Sequence, residues 1–333
     1  MNIGILGAGT WGIALSKMLF ECGYDITVWS AVSKEIDELN NSRIYKRLDD
    51  LRIPCGIKLT KCLEEACEGM DIILFAVPSV YVRSTASSAK GYITDDQIIV
   101  NLSKGIESGS LKTMTEVIAD EMSLTEDARK RIVALSGPTH AEEVARSLPT
   151  TIVAACSDID TGKKIQNAFS NEFFRVYTNT DVLGVEICGA VKNVIALAAG
   201  ISEGLGYGDN AKAALITRGM SEISRLGKAL GCDERTFYGL AGVGDLIVTA
   251  TSRHSRNNKA GFLIGSGLSA AEAVEEVGMV VEGINALPAV IALASKYGVE
   301  MPISFAADKI INHGADPASS VKELMNRKTT YDV

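Results

Sequence analysis

An α/β N-terminal half followed by an all-helical C-terminal half is what these 333 residues predict. Three observations predict it. As far as about residue 182, short apolar runs of strand length alternate with segments of helical period, and from residue 183 onward only the helical period continues. Between the first apolar run, residues 2–6, and the first helical segment, Ile13 to Phe20, stands the glycine-rich turn Gly7-Ala8-Gly9-Thr10-Trp11-Gly12. The expected domains are therefore 1–182 and 183–333.

Composition narrows the function. Hydrophobic residues make up 47% and charged residues 22%, the balance of a folded globular chain long enough for two cores. The formal net charge of -8 argues against nucleic acid or an anionic membrane surface as a partner. An anionic ligand must then be gripped by a local basic cluster. No apolar run reaches about eighteen residues, so no membrane insertion is expected, and the N-terminus lacks the basic segment of a signal peptide. The seven cysteines are odd in number and form no Cys-x-x-Cys pair, which reads as reduced thiols in a cytoplasmic protein.

Taken in order, residues 2–6 and the turn that follows give strand, glycine-rich turn and helix, the context of a dinucleotide-binding fingerprint and hence of a Rossmann-like domain. Gly7 permits the tight turn, Gly9 lets backbone approach a pyrophosphate, and Gly12 lets helix and strand pack closely. The helix N-terminus would face the pyrophosphate. The second strand, Asp25 to Trp29, should end beside an adenosine ribose. It is followed by Ser30-Ala31-Val32-Ser33-Lys34, with neither the acid that selects NAD nor the arginine that accommodates NADP. The choice between NAD and NADP stays open.

A polar connection at 40–56 precedes the next buried strand, Asp71 to Val77, whose Pro78 suits the first turn of a helix. Ile98 to Leu102 delivers Ser103-Lys104-Gly105 to the carboxyl edge of a parallel sheet, where ligands bind, so Lys104 is a candidate anion contact as well as a candidate solvated lysine. Arg131 to Leu135 leads into Ser136-Gly137-Pro138-Thr139-His140-Ala141. Small residues there would admit a ligand to backbone N–H groups, and Thr139 is suited to cap the next helix. His140, alone beside a proline turn, reads as structural rather than as an acid/base. Runs at 151–155 and 173–177 close the strand series.

In the helical half, the segments 183–203 and 209–230 come first. Lys192 lies in a helix apolar on nearly every face, so the lysine is expected to be buried. Burial lowers a lysine's preference for the charged form, which makes Lys192 a candidate acid/base; the alternatives are a snorkelling lysine or a structural ion pair. Asp245, after Gly242-Val243-Gly244, would either cap a helix or reach Lys192, and the cap is the simpler expectation. Ser255, Arg256 and Asn257 form a donor-rich run fit to grip phosphate, or equally a solvated helix start.

These blocks, in this order and ending with Val280-Val281-Glu282-Gly283, resemble the NAD(P)-dependent sn-glycerol-3-phosphate dehydrogenases of the bacterial cytoplasmic type over nearly the whole chain. The resemblance implies a catalytic Lys192. It implies substrate contacts at Lys104, Gly137, Thr139, Lys192, Asp245, Ser255, Arg256 and Asn257. It places cofactor contacts at Gly7, Gly9, Thr10, Trp11, Gly12, Lys104, Ala141, Arg256, Val280 and Glu282, with no metal. It further implies hydride transfer between a nicotinamide and a small phosphorylated three-carbon substrate, glycerol 3-phosphate supply for phospholipid synthesis, and a homodimer. Ala31 and Val32 depart from the basic residue common in members that prefer NADPH. Two other classes remain open to the same residues. Hydroxyacid or phosphogluconate dehydrogenases also present a lysine from helices but bind a carboxylate, and a nucleotide-sensing module would have no use for a proton donor.

Overall fold

The computed structural model describes residues 1–328 and divides the chain into two compact units. The first comprises Met1–Glu107 and Lys112–Glu186. The second comprises Ser108–Leu111 and the described residues from Ile187 onward, so the division falls inside one long helix.

The first unit is built on an eight-stranded sheet. Its strands are β1 (Asn2–Leu6), β2 (Asp25–Trp29), β3 (Lys58–Thr60), β4 (Ile72–Phe75), β5 (Ile98–Asn101), β6 (Val133–Ser136), β7 (Thr150–Ala155) and β8 (Phe174–Asn179), in the spatial order β8-β7-β6-β5-β4-β1-β2-β3. From β3 to β6 all neighbours are parallel. All four residues of β4 are buried, as expected of a central parallel strand covered on both faces. The order reverses at β1, with β2 and β3 on one side and β4 to β6 on the other, which makes the carboxyl edge around β1 a ligand-binding position. Strand β7 runs antiparallel to β6, with Leu135 opposite Ala154, and is reached through the short helix Ala141–Ala145. Its parallel neighbour β8 is reached through the crossover helix Ile159–Phe169, capped by Asp158.

Two local expectations change. The polar connection at 40–56 carries a small hairpin: Ile44–Tyr45 pairs with Leu51–Arg52 across a link that includes the 3-10 turn Lys46–Leu48, and β3 follows it at the sheet edge. Pro78 stands ahead of a short 3-10 turn, Ser79–Tyr81, and the α-helix begins only at Val82.

In the second unit, the helix Val182–Gly204, which opens in the first unit, has nearly every side chain buried, as its all-round apolar pattern predicts. It is long and apolar enough to cross a membrane by length and composition, yet 83% of its most apolar window is covered by the protein's own chain. Its packing against Arg256–Gly265, with the two helices running in the same direction, is unusually close. A Cβ added at Gly200 would lie 2.1 Å from the Asn258 carbonyl oxygen, and one at Gly261 would lie 2.1 Å from that of Leu197. Gly204 and Gly265 repeat the relation one turn on, at 2.2 Å from the carbonyl oxygens of Phe262 and Ile201. Backbone meets backbone along this seam. Leu197, Ile201, Ala260, Ile264 and Val281 close an apolar cluster around it.

Candidate functional site

In the first unit the site begins at the carboxyl end of β1. The Gly7 N–H donates to the Trp29 carbonyl at 2.8 Å, tying the glycine turn to the end of β2. Gly7 has φ +126°, and a Cβ there would lie 2.8 Å from the Ala76 carbonyl; at Gly12 it would lie 2.2 Å from the Gly7 oxygen. At Gly9, by contrast, nothing stands within 4 Å of the Cβ position. The turn is thus closed on the protein side and open where Gly9 caps the helix Thr10–Glu21. The residues present fit a dinucleotide: a helix N-terminus, no obstructing side chain at the cap, and Thr10 and Trp11 half-buried in the first turn.

Along the same edge, Lys104 Nζ donates to the Gly137 carbonyl at 3.1 Å, and Thr139 Oγ1 donates to that same oxygen at 3.1 Å. Lys104, Gly137 and Thr139 therefore form one group. The expectation that Thr139 caps a helix fails because its hydroxyl is spent on Gly137. The position before the helix Ala141–Ala145 belongs instead to His140, whose side chain makes no cap. Ala141 is buried against the core of the first unit.

A support for this loop was not foreseen. Asn101 Oδ1 accepts the Ser103 N–H at 3.0 Å and its Nδ2 donates to the Ser103 carbonyl at 2.9 Å, fixing the residue before Lys104. The same amide reaches Glu186 Oε1 at 3.4 Å, and Glu186 takes bonds from Thr115 N–H at 2.9 Å and Thr115 Oγ1 at 2.5 Å. Burial pushes the Glu186 carboxyl up to about 7, although the threonine bonds act the other way. Its folded value lies above the unfolded one, so the proton it keeps stabilises the fold at acid pH. That contribution declines as pH climbs past the ordinary glutamate range and is gone above about 7. Glu222, buried under the N-terminus of the helix Pro302–His313, is raised by burial too and adds a slope of the same sign. Scanning calorimetry of Glu186→Gln should show a melting temperature that gains most over the wild type at pH 8 and least at about pH 5; equal differences at both would contradict the assignment.

In the second unit Lys192 is 5% exposed and Asp245 1%. The Lys192 ammonium donates to Asp245 Oδ1 at 2.6 Å and to Thr249 Oγ1 at 2.6 Å, and Thr249 in turn donates to the Asp245 carbonyl at 2.6 Å. Asp245 is therefore the lysine's partner, not a cap. It stands in the first turn of the helix Asp245–Thr251, fed by a wide turn at Leu240–Gly244 that the glycines allow. Thr249 was missed; its signal is the spacing of four from Asp245, which puts both on one helical face.

Next to Lys192, Asn193 Oδ1 accepts from Asn257 Nδ2 at 2.9 Å, and Asn257 Oδ1 accepts the Gly283 N–H at 2.8 Å. Ser255 caps its helix through Asn258 N–H at 3.2 Å. Two residues of the expected phosphate grip thus have side chains engaged within the fold. Arg256 is exposed, and its Nη1 donates to the Val280 carbonyl at 3.1 Å, which brings Arg256 beside Val280 and the helix that begins at Glu282. Lys192 with Asp245 and Arg256 with Val280 are consequently set on one framework, the glycine seam between their two helices.

Comparison with known proteins gives a consistent result. Residues 2–162 match the family model described as NAD-dependent glycerol-3-phosphate dehydrogenase N-terminus, and residues 181–322 match the corresponding C-terminus model. A glycerol-3-phosphate dehydrogenase [NAD(P)+] 2 of Lactobacillus delbrueckii subsp. bulgaricus is 61% identical over 328 residues, covering 98% of this chain and 97% of that one. One from Fusobacterium nucleatum is 48% identical over 334 residues, covering 100% and 99%. The crystal structure of glycerol-3-phosphate dehydrogenase from Coxiella burnetii superposes with a TM-score of 0.93 at 38% identity, covering 98% of this chain and 99% of that one.

Proposed function

This chain belongs to the NAD-dependent glycerol-3-phosphate dehydrogenase family, and from that premise we propose that it interconverts dihydroxyacetone phosphate and sn-glycerol 3-phosphate with Lys192 as the acid/base. In the cell this reaction supplies glycerol 3-phosphate for glycerophospholipid synthesis. The observation that carries the assignment is the buried ammonium of Lys192, oriented by Asp245 and Thr249 at 2.6 Å each.

The glycine turn and the N-terminus of the helix Thr10–Glu21 would hold the pyrophosphate of NAD or NADP, with Lys104, Ala141, Arg256, Val280 and Glu282 as further cofactor contacts. A bound nicotinamide supplies or accepts the hydride at C2. During reduction negative charge grows on the C2 oxygen, and the Lys192 ammonium stabilises it and gives up a proton to it. During oxidation the neutral amine takes that proton back from the hydroxyl. Two opposed influences act on that nitrogen: burial disfavours the ammonium, and the Asp245 carboxylate favours it. Thr249 restricts where the nitrogen points.

Arg256, with Ser255 and Asn257, would bind the phosphate, and Lys104, Gly137 and Thr139 would complete the substrate contacts. Remote binding of that kind positions the reacting carbon. Arg256→Ala should raise the KM for dihydroxyacetone phosphate by roughly ten- to a hundredfold, the size of a lost charge-assisted bond, with a smaller change in kcat. Steady-state kinetics check this, and an unchanged KM would count against the grip.

The reading extends to a cytoplasmic homodimer with no nucleic-acid partner; light scattering should return twice the 35.4 kDa chain mass. The direct test of the activity is nicotinamide absorbance with dihydroxyacetone phosphate and, in parallel, with unphosphorylated and carboxylate analogues. Turnover confined to the phosphorylated ketone supports the assignment. Turnover of a hydroxyacid substrate instead would overturn it.

A further inference from the structure

The strand that should meet the adenosine ribose ends without the acid or the arginine that usually decides between NAD and NADP. The structure supplies a carboxylate by another route. Ser30, the residue after β2, is 6% exposed, and its Oγ donates to Glu35 Oε2 at 2.8 Å while accepting the Val32 N–H at 3.2 Å. Glu35 lies in the first turn of the helix Ser33–Ser42. Its carboxylate is thus drawn back to Ser30 at the end of β2, one residue past the Trp29 carbonyl that accepts the Gly7 N–H.

We propose that Glu35, held by Ser30, selects the cofactor, accepting a ribose 2′-hydroxyl and repelling a 2′-phosphate, so that this chain uses NAD(H) in preference to NADP(H). The proposal rests on the dehydrogenase reading above and adds to it the residue that sets cofactor choice.

The charges around the position agree. A helix N-terminus would by itself favour an extra phosphate, and an acid in its first turn offsets that attraction. Lys34, the cation of the same turn, is 86% exposed and has its Nζ 3.8 Å from Glu38, one turn further along. Lys61 is engaged with Asp37 at 2.6 Å. Ala31 and Val32 bring no charge, and among the described residues no basic side chain bonds to Ser30 or Glu35. A neutral hydroxyl would find an anionic acceptor there. A phosphate dianion would find a like charge.

Calorimetric titration of the full chain with NADH and, separately, with NADPH tests this without reference to turnover. The wild type should bind NADH at least roughly tenfold more tightly, a ratio set by one displaced like-charge contact. Glu35→Gln keeps an acceptor for Ser30 and should shrink the ratio by about tenfold, chiefly because NADPH binds better. Glu35→Lys should reverse the preference. Equal binding of both cofactors by the wild type, a preference for NADPH, or a ratio unmoved by Glu35→Gln while NADH still binds, would overturn the proposal and leave the dehydrogenase reading standing. A wild-type chain that bound neither cofactor would overturn both.

Discussion

Replacing Lys192 by methionine should lower kcat for dihydroxyacetone phosphate reduction by roughly a thousandfold or more, while NADH binding changes little. Two losses combine in that figure. The transition state loses its proton donor and also the positive charge facing the growing oxyanion. Methionine fills much of the lysine's volume without either property. The substitution leaves the Asp245 carboxylate, 1% exposed, without its ammonium, and an abandoned buried charge costs roughly 3–5 kcal/mol. Lys192→Met combined with Asp245→Asn removes that cost, so the double variant should melt closer to the wild type yet remain as inactive as the single one. If activity returned with stability, the lysine would be a structural element and not the acid/base.

Gly261→Ala carries the second large effect, and it acts through the seam. The new methyl would start 2.1 Å from the Leu197 carbonyl oxygen, a backbone atom that cannot rotate away. The helices Val182–Gly204 and Arg256–Gly265 must separate, at a cost of roughly 1–3 kcal/mol. Because Arg256 opens the second helix and Lys192 lies in the first, separation should also raise the KM for dihydroxyacetone phosphate. Gly231→Ala is a useful contrast: nothing stands within 4 Å of that Cβ position, although φ there is +84°, so it should affect stability through backbone strain and leave KM alone. Chemical denaturation and steady-state kinetics on the two variants separate these effects.

What could be read from the sequence follows from what is local. The strands β1, β2, β4, β5 and β7 are legible because strands covered on both faces become uninterrupted apolar runs, and the helix around Lys192 because burial on all sides leaves it apolar on all sides. Strand β3 escaped notice since only three residues, Lys58–Thr60, make it, and an edge strand has just one neighbour to satisfy. Asp245 shows the other kind of limit. Its position after glycines fits a cap as well as an ion pair, and only the fold tells which, because the partner lies 53 positions away. Thr139 fails in the same manner: a hydroxyl ahead of a helix suggests a cap, but the Gly137 carbonyl two residues back competes and wins. The pairing of Gly200 and Gly204 with Gly261 and Gly265 is invisible to a reading that treats glycine as punctuation, since each pair matters only once two distant helices meet. Neither Glu186 nor Glu35 is legible by position, because each is placed by the polar residue it bonds, Asn101 and Ser30.

The most direct measurement is rescue of Lys192→Ala by small primary amines added to the assay. If the buried nitrogen is the group that passes a proton to and from the C2 oxygen, turnover should rise with amine concentration, and the rescued rate should vary with the pKa of the amine among those of equal size. A Lys192→Ala enzyme that turned over at the wild-type rate with no amine present would contradict the account.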